Sequence, residues 1–237
     1  MITEKQFALG FSGFWQSLLP MMENHIRSTN ERLQHFARPM VSNSPTATHG
    51  LVSELAFRMF VNAAHEQVPV EDLSSDQIRE CAEAATSHIR GMRQLSRTPV
   101  PDPRPNEIAE AALLAERHAI FFKRADELIL MPTFPGCGWL MECSGDVISG
   151  SMLYEVKAGQ RGFRSLDVRQ TLIYCALNFA AKQHDIASVC LVNPRLGVFI
   201  EADLEDLCLS LSGAPAVEVL AAIVEYCSES QDRYNIG

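Results

Sequence analysis

The stretch Gly145-Asp146-Val147-Ile148, followed by Tyr154-Glu155-Val156-Lys157, constrains this chain more than any other. Both runs are largely apolar, with an acid opening the first and a Glu-x-Lys triplet closing the second. Ser149-Gly150-Ser151 between them are turn formers, so the two runs read as strands of one hairpin. Side chains alternate faces along a strand. Glu155 and Lys157 therefore share a face, and Val156 points to the opposite layer. In the straightforward register Asp146 falls beside Glu155 on that same face. Two carboxylates and an ammonium then converge at one spot on a sheet, an arrangement suited to a hard divalent cation and an activated water.

The residues before this hairpin have helical periodicity. Thr3 caps a helix carrying Phe7, Phe11, Phe14, Trp15 and Leu18, with a break near Pro20. A second helix runs through Met22, Ile26, Leu33 and Phe36 and stops before Pro39. Residues 39–48 are rich in Ser, Thr, Asn and Pro and read as a loop. The pattern predicts further helices over about 49–66, from the Asp72–Asp76 region to about Leu95, and over about 106–124, with a stiff Pro-rich connector at 97–105. From Leu128 the period shortens. Runs at 128–131, 138–143, 145–149 and 152–158 read as strands. A helix over 165–183 follows, capped by Ser165, then strands at 189–192 and 197–200 around an Asn193–Leu196 turn. Two acidic helices at about 203–211 and 215–229 close the chain. The chain thus divides into a helical region of 1–127 and an α/β region of 128–237, joined in one compact unit.

Composition bounds the function. An apolar fraction of 47% and a charged fraction of 21% over 237 residues are those of a soluble globular protein. No apolar run approaches the roughly 20 residues that span a bilayer, and no basic segment followed by an apolar core marks a secretory signal. Seven scattered cysteines suggest reduced thiols and a cytoplasmic location. The net charge of −9 argues against a surface that grips nucleic acid everywhere. The acidity is concentrated in residues 183–237, where nine acids face two bases, a net of −7. Just after the hairpin, Lys157, Arg161, Arg164 and Arg169 face only Asp167. These arginines are candidates for contacting a phosphate backbone; a solvated loop is the plainer reading. His49, His118 and His184 are isolated and suit surface or capping roles, and Trp15 and Trp139 suit the core.

The ordered series Glu54, Asp146, Glu155-x-Lys157 and Gln170-x-x-x-Tyr174 resembles the PD-(D/E)XK nuclease superfamily, specifically its RecB-like members. The match covers about residues 136–201, with Glu54 on the helix at 49–66 extending it. Gln170 and Tyr174 are four apart, so a helix puts them on one face. The resemblance implies a restriction-endonuclease-like α/β core of helix, three strands, helix and strand, with a helical insertion between the first helix and the sheet. It implies Mg²⁺ or Mn²⁺ held by Asp146, Glu155 and the Val156 carbonyl, with Glu54 holding a water of the metal shell. Asp146, Glu155, Lys157, Gln170 and Tyr174 would form the catalytic set, and DNA, or else RNA, would be cut. A helix-surface glutamate is the plain alternative for Glu54, and an amphipathic helix edge for Gln170 and Tyr174. A stand-alone acidic nuclease of this kind would rely on a protein partner to deliver substrate, as in a bacterial defence, restriction or repair system, with no role for a membrane. The rival readings are a non-catalytic nucleic-acid-binding or assembly subunit that keeps the fold, and an interaction protein working through its N-terminal helices.

Overall fold

The computed structural model describes residues 1–92, 100–123, 125 and 127–229. The chain opens on two short helices, α1 (Glu4–Leu9) and α2 (Ser12–Leu18), where the sequence predicts one. Thr3 caps α1 by accepting from the Gln6 N–H at 3.2 Å, and the Gln6 side chain returns the bond to the Thr3 N–H at 2.9 Å. The break falls at Phe11, whose backbone is left-handed with φ 55°. That conformation is costly for an aromatic residue; stacking of the ring on Trp139, with centroids 5.2 Å apart, offsets the cost.

α3 (Met22–Glu31) ends sooner than the periodicity predicts, and Gln34–His35 form a short strand, β1. Leu33 and Phe36 fit either a helix face or a strand. The sheet edge decides, with Phe36 packing on Phe121 at 4.9 Å between centroids. α4 (His49–Glu66), α5 (Ser75–Met92) and α6 (Pro105–Phe122) fall close to their expected places. The expected end of the second of these near Leu95, the start of the connector at 97–99 and position 124 lie outside the described residues.

Next come β2 (Ile129–Leu130), β3 (Thr133–Phe134), β4 (Cys143–Ser144), β5 (Val147–Ser149) and β6 (Met152–Val156). The strand expected at 138–143 is largely a turn instead. Gly138 takes φ 57°, and a Cβ there would lie 2.0 Å from the Cys227 carbonyl oxygen, so the backbone passes too close to the last helix to remain extended. α7 (Ser165–Ala181), β7 (Ser188–Asn193), β8 (Val198–Asp203), α8 (Leu204–Ser212) and α9 (Ala216–Glu229) complete the chain. Ser165 is the first residue of α7 rather than its cap. Asp167 does the capping: its carboxylate accepts from the Arg164 N–H at 2.9 Å.

A mixed six-stranded sheet runs β1-β8-β7-β6-β5-β2, and β3 with β4 forms a separate ribbon. Within the sheet β6 and β7 are parallel and joined through α7, while the other pairs are antiparallel. A parallel pair needs such a crossover. One sheet face, with Val147, Cys190 and Val192, packs on α4, α5 and α6. The other, with Ile148, Leu153 and Val189, packs on α7, α8 and α9 and on the N-terminal Phe7 and Trp15. The fold is therefore α/β. Its N-terminal helices sit with its C-terminal ones, so the boundary drawn at 127 in sequence is not a boundary in space. Among the described residues no single helix is long and apolar enough to cross a membrane. All seven cysteines are free thiols.

Candidate active site

The hairpin pairs in the expected register, with Val147 opposite Tyr154, Ile148 opposite Leu153 and Ser149 opposite Met152. Gly150 turns it with φ 54°, the positive value that two-residue hairpin turns require. One residue beyond the ladder, Asp146 bends back across it, and its Oδ2 accepts from the Val156 N–H at 2.7 Å. On β6, Leu153 and Glu155 face the α7 layer. Glu155 is 2% exposed. Its Oε1 takes a hydrogen bond from Lys157 Nζ, while its Oε2 is buried without a partner. Lys157 Nζ also donates to Gln170 Oε1 at 2.8 Å. Gln170 Nε2 donates in turn to the Tyr174 hydroxyl at 2.7 Å, and more weakly to Glu4 Oε1 at 3.4 Å. The two residues four apart on α7 thus act in series. Gln170 aims the lysine and Tyr174 fixes the amide, itself sealed at 2% exposure against Phe134.

Burial governs the electrostatics. It pushes the Asp146 carboxyl up, against the pull of Lys157 and of the Val156 N–H. It pushes Glu155 up to about 8, opposed by Lys157 and reinforced by the Asp146 charge. Lys157 would be pushed down by burial, but Glu155 and Asp146 outweigh that and hold it above its ordinary value, as an ammonium. One carboxylate oxygen lacks any hydrogen-bond donor.

Asp146, Val156 and Lys157 line the floor of a cleft of about 330 Å³ between α1 and α4, with Lys5, Glu54 and Phe57 also on its lining, and Glu155 is buried beneath it. Glu54 stands on the α4 wall, close enough that its charge raises Asp146. Its own carboxylate is bound by Arg58 at 2.7 Å and lies 3.8 Å from His88, so it is already engaged as part of a helix-surface cluster. Among the described residues no group of three or more His, Cys, Asp and Glu side chains is arranged to hold a metal ion. The donor set of Asp146 and Glu155 suits Mg²⁺ or Mn²⁺ in its chemistry: Mg²⁺ takes one or two carboxylates and keeps several waters, and Glu155 Oε2 has no hydrogen-bond partner.

Two of the three arginines of the expected rim have partners within the fold. Arg161 forms an ion pair with the buried Asp167 at 2.8 Å and donates to the Gly162 carbonyl. Arg169 donates to the Ala8 carbonyl at 3.3 Å and lies over the Trp15 ring. Both tie the loop after β6 and the helix α7 to their surroundings. Arg164, at the head of α7, is exposed.

Several site-forming residues carry no local sequence signal. Arg195, fully buried in the β7–β8 turn, donates from Nε to the Ala158 carbonyl at 2.8 Å, and Ser53 on α4 donates to the same oxygen at 3.2 Å. Asn193 donates to the Gly159 and Arg161 carbonyls at 2.9 and 3.1 Å. Together they fix the backbone immediately after Lys157. Glu110, on α6, anchors Arg195. His118, expected at the surface, is instead fully buried between α4 and α6. It bonds the Leu114 carbonyl at 2.7 Å, and burial pushes it down to about 4. A search of family models and of curated proteins finds no match for this chain.

Proposed function

We propose that this chain is a divalent-metal-dependent nuclease with a restriction-endonuclease-like core, hydrolysing phosphodiester bonds of DNA. The observation that carries the reading is the buried Glu155 on β6, with one oxygen unpartnered, beside Asp146 at the head of β5 and an ammonium aimed by Gln170. The order of elements supports it: α4 bearing Glu54, the β5–β6 hairpin, α7 bearing Gln170 and Tyr174, then β7 parallel to β6.

A divalent cation on the two carboxylates would supply charge neutralisation and water activation. The chain's own groups do the rest. The Val156 N–H holds Asp146 in one orientation. Gln170 and Tyr174 hold Lys157 where its remaining N–H can meet a water or a phosphate oxygen. As the water oxygen bonds to phosphorus and the P–O bond to the leaving strand breaks, negative charge grows on the phosphoryl oxygens. A preformed ammonium in a dry site stabilises that charge at no reorganisation cost. The acidic surface, with a net charge of −9, favours delivery of substrate by a partner protein over capture from bulk solution.

The test is cleavage of plasmid and of labelled oligonucleotides with Mg²⁺ and with EDTA, beside Lys157→Ala. The expected result is cutting by the wild type in Mg²⁺ alone and a loss of about 10²–10³-fold or more in the variant, the scale of removing one transition-state donor. A wild type that cuts neither DNA nor RNA in Mg²⁺ or Mn²⁺ overturns the reading in favour of a non-catalytic subunit.

A further inference from the structure

The cleft has two walls. α4 supplies one, with Gly50, Ser53, Glu54 and Phe57; the N-terminal helix α1 supplies the other through Lys5. Two lysines therefore line the cleft, and they differ in situation. Lys157 lies on the floor, about one fifth exposed, with bonds to Glu155 and Gln170. Lys5 sits on an exposed stretch of α1 and faces the same space.

α1 is not a loose arm. The reciprocal Thr3–Gln6 cap fixes its start. Phe7, fully buried, packs on Trp139 with centroids 4.9 Å apart. The Ile2 N–H donates to the Trp139 carbonyl, and the Met141 N–H to the Ile2 carbonyl, both at 3.0 Å. On the same helix Glu4 reaches Gln170, the residue that aims Lys157. The backbone under Lys5 is thus registered to the catalytic layer from two sides.

A phosphodiester entering between α1 and α4 meets Lys5 at the mouth before it reaches the floor. Resting on the nuclease reading, we infer that Lys5 is a second substrate-contacting cation of this site, gripping a non-bridging oxygen of the phosphate while Lys157 acts deeper in. The N-terminal helix is then part of the catalytic apparatus, not only a cover for the sheet.

The test compares wild type, Lys5→Ala and Lys5→Arg by anisotropy with a fluorescein-labelled DNA oligonucleotide in EDTA, by Mn²⁺ calorimetry, and by Mg²⁺-dependent cleavage. Lys5→Ala should bind DNA more weakly with a salt slope smaller by about 0.7–0.9, one phosphate contact's worth. Its kcat/KM should fall about 10–100-fold, and its Mn²⁺ affinity should hold or rise because a nearby positive charge is gone. Lys5→Arg should keep most of the binding and cleavage. If the wild type cuts and Lys5→Ala matches it in binding, salt slope and kcat/KM, the inference is overturned while the nuclease reading stands. If the wild type neither takes up Mn²⁺ nor cuts, both fall together.

Discussion

Two glutamates of this chain are almost fully buried beside a cation, and their surroundings could hardly differ more. Glu110, 3% exposed, is paired with Arg195. Its Oε1 also accepts from the Ser42 hydroxyl at 2.8 Å, and its Oε2 accepts from the Asn43 and Ser44 N–H groups at 2.9 Å each. Burial alone would raise its pKa. The bonds from Arg195, Ser42, Ser44 and Asn43 outweigh that and hold it down at about 2. Glu155, 2% exposed, has Lys157 on one oxygen and nothing on the other, and it is pushed up to about 8. The fold finishes one carboxylate and leaves the other unfinished. A buried polar atom without a partner is costly; Glu107 Oε1 and Arg195 Nη2 share that state, and what sets Glu155 apart is the second carboxylate and the lysine beside it. Glu110 pins the 42–44 loop and, through Arg195, the backbone after Lys157. Glu155 Oε2 has no such partner, and on the proposed reading it is the atom a cation would bind.

The first way to break the comparison is to unpair the finished site. Arg195→Ala leaves Glu110 buried without its main partner, and loss of one member of a buried pair costs about 3–5 kcal/mol. Urea unfolding should show that loss as a lower midpoint with an unchanged slope. The same carboxylate gives the pH sign. Its folded pKa lies below the ordinary glutamate value of 4.5, so its stabilising contribution is complete above about 4.5 and is lost as pH falls toward about 2. Glu110→Gln should flatten that part of the acid limb in thermal unfolding followed by circular dichroism.

A smaller effect of opposite sign sharpens the contrast. Glu155→Gln removes the ionisable group and keeps the shape. In buffer free of divalent cations it should leave the melting temperature unchanged or raise it by a few degrees, as expected where stability has been given up for function. A large drop, comparable with that of Arg195→Ala, would make Glu155 a structural residue like Glu110.

Local pattern carried part of this account. The hairpin was legible because strand alternation and a Ser-Gly-Ser turn leave few alternatives for Asp146, Glu155 and Lys157. The pairing of Gln170 with Tyr174 was legible from helical spacing, although their order in a relay to Lys157 was not. The short strand at Gln34–His35 was hidden because its pairing partner, Val198–Phe199, lies more than 160 residues away in the chain. Gly138 looked like punctuation within a strand; its close approach to Cys227 exists only in the folded molecule. Glu110, Arg195 and Asn193 escaped notice for the same reason. Each is an ordinary polar residue in its own segment and becomes specific only where α6 meets the β7–β8 turn. Asp167, six residues from Arg161, was visible in sequence as the one acid among these bases, while the Trp15 ring under Arg169 is supplied by tertiary contact.

We propose that a divalent cation completes the site at Asp146 and Glu155. Calorimetric titration of Mn²⁺ into the wild type, Asp146→Ala, Glu155→Gln and Lys157→Ala tests it most directly. Saturable binding is predicted for the wild type and for Lys157→Ala, because an ammonium does not ligate a cation. It should be lost in Asp146→Ala and in Glu155→Gln while both remain folded. Absence of saturable binding in the wild type, or wild-type affinity in Glu155→Gln, would contradict it.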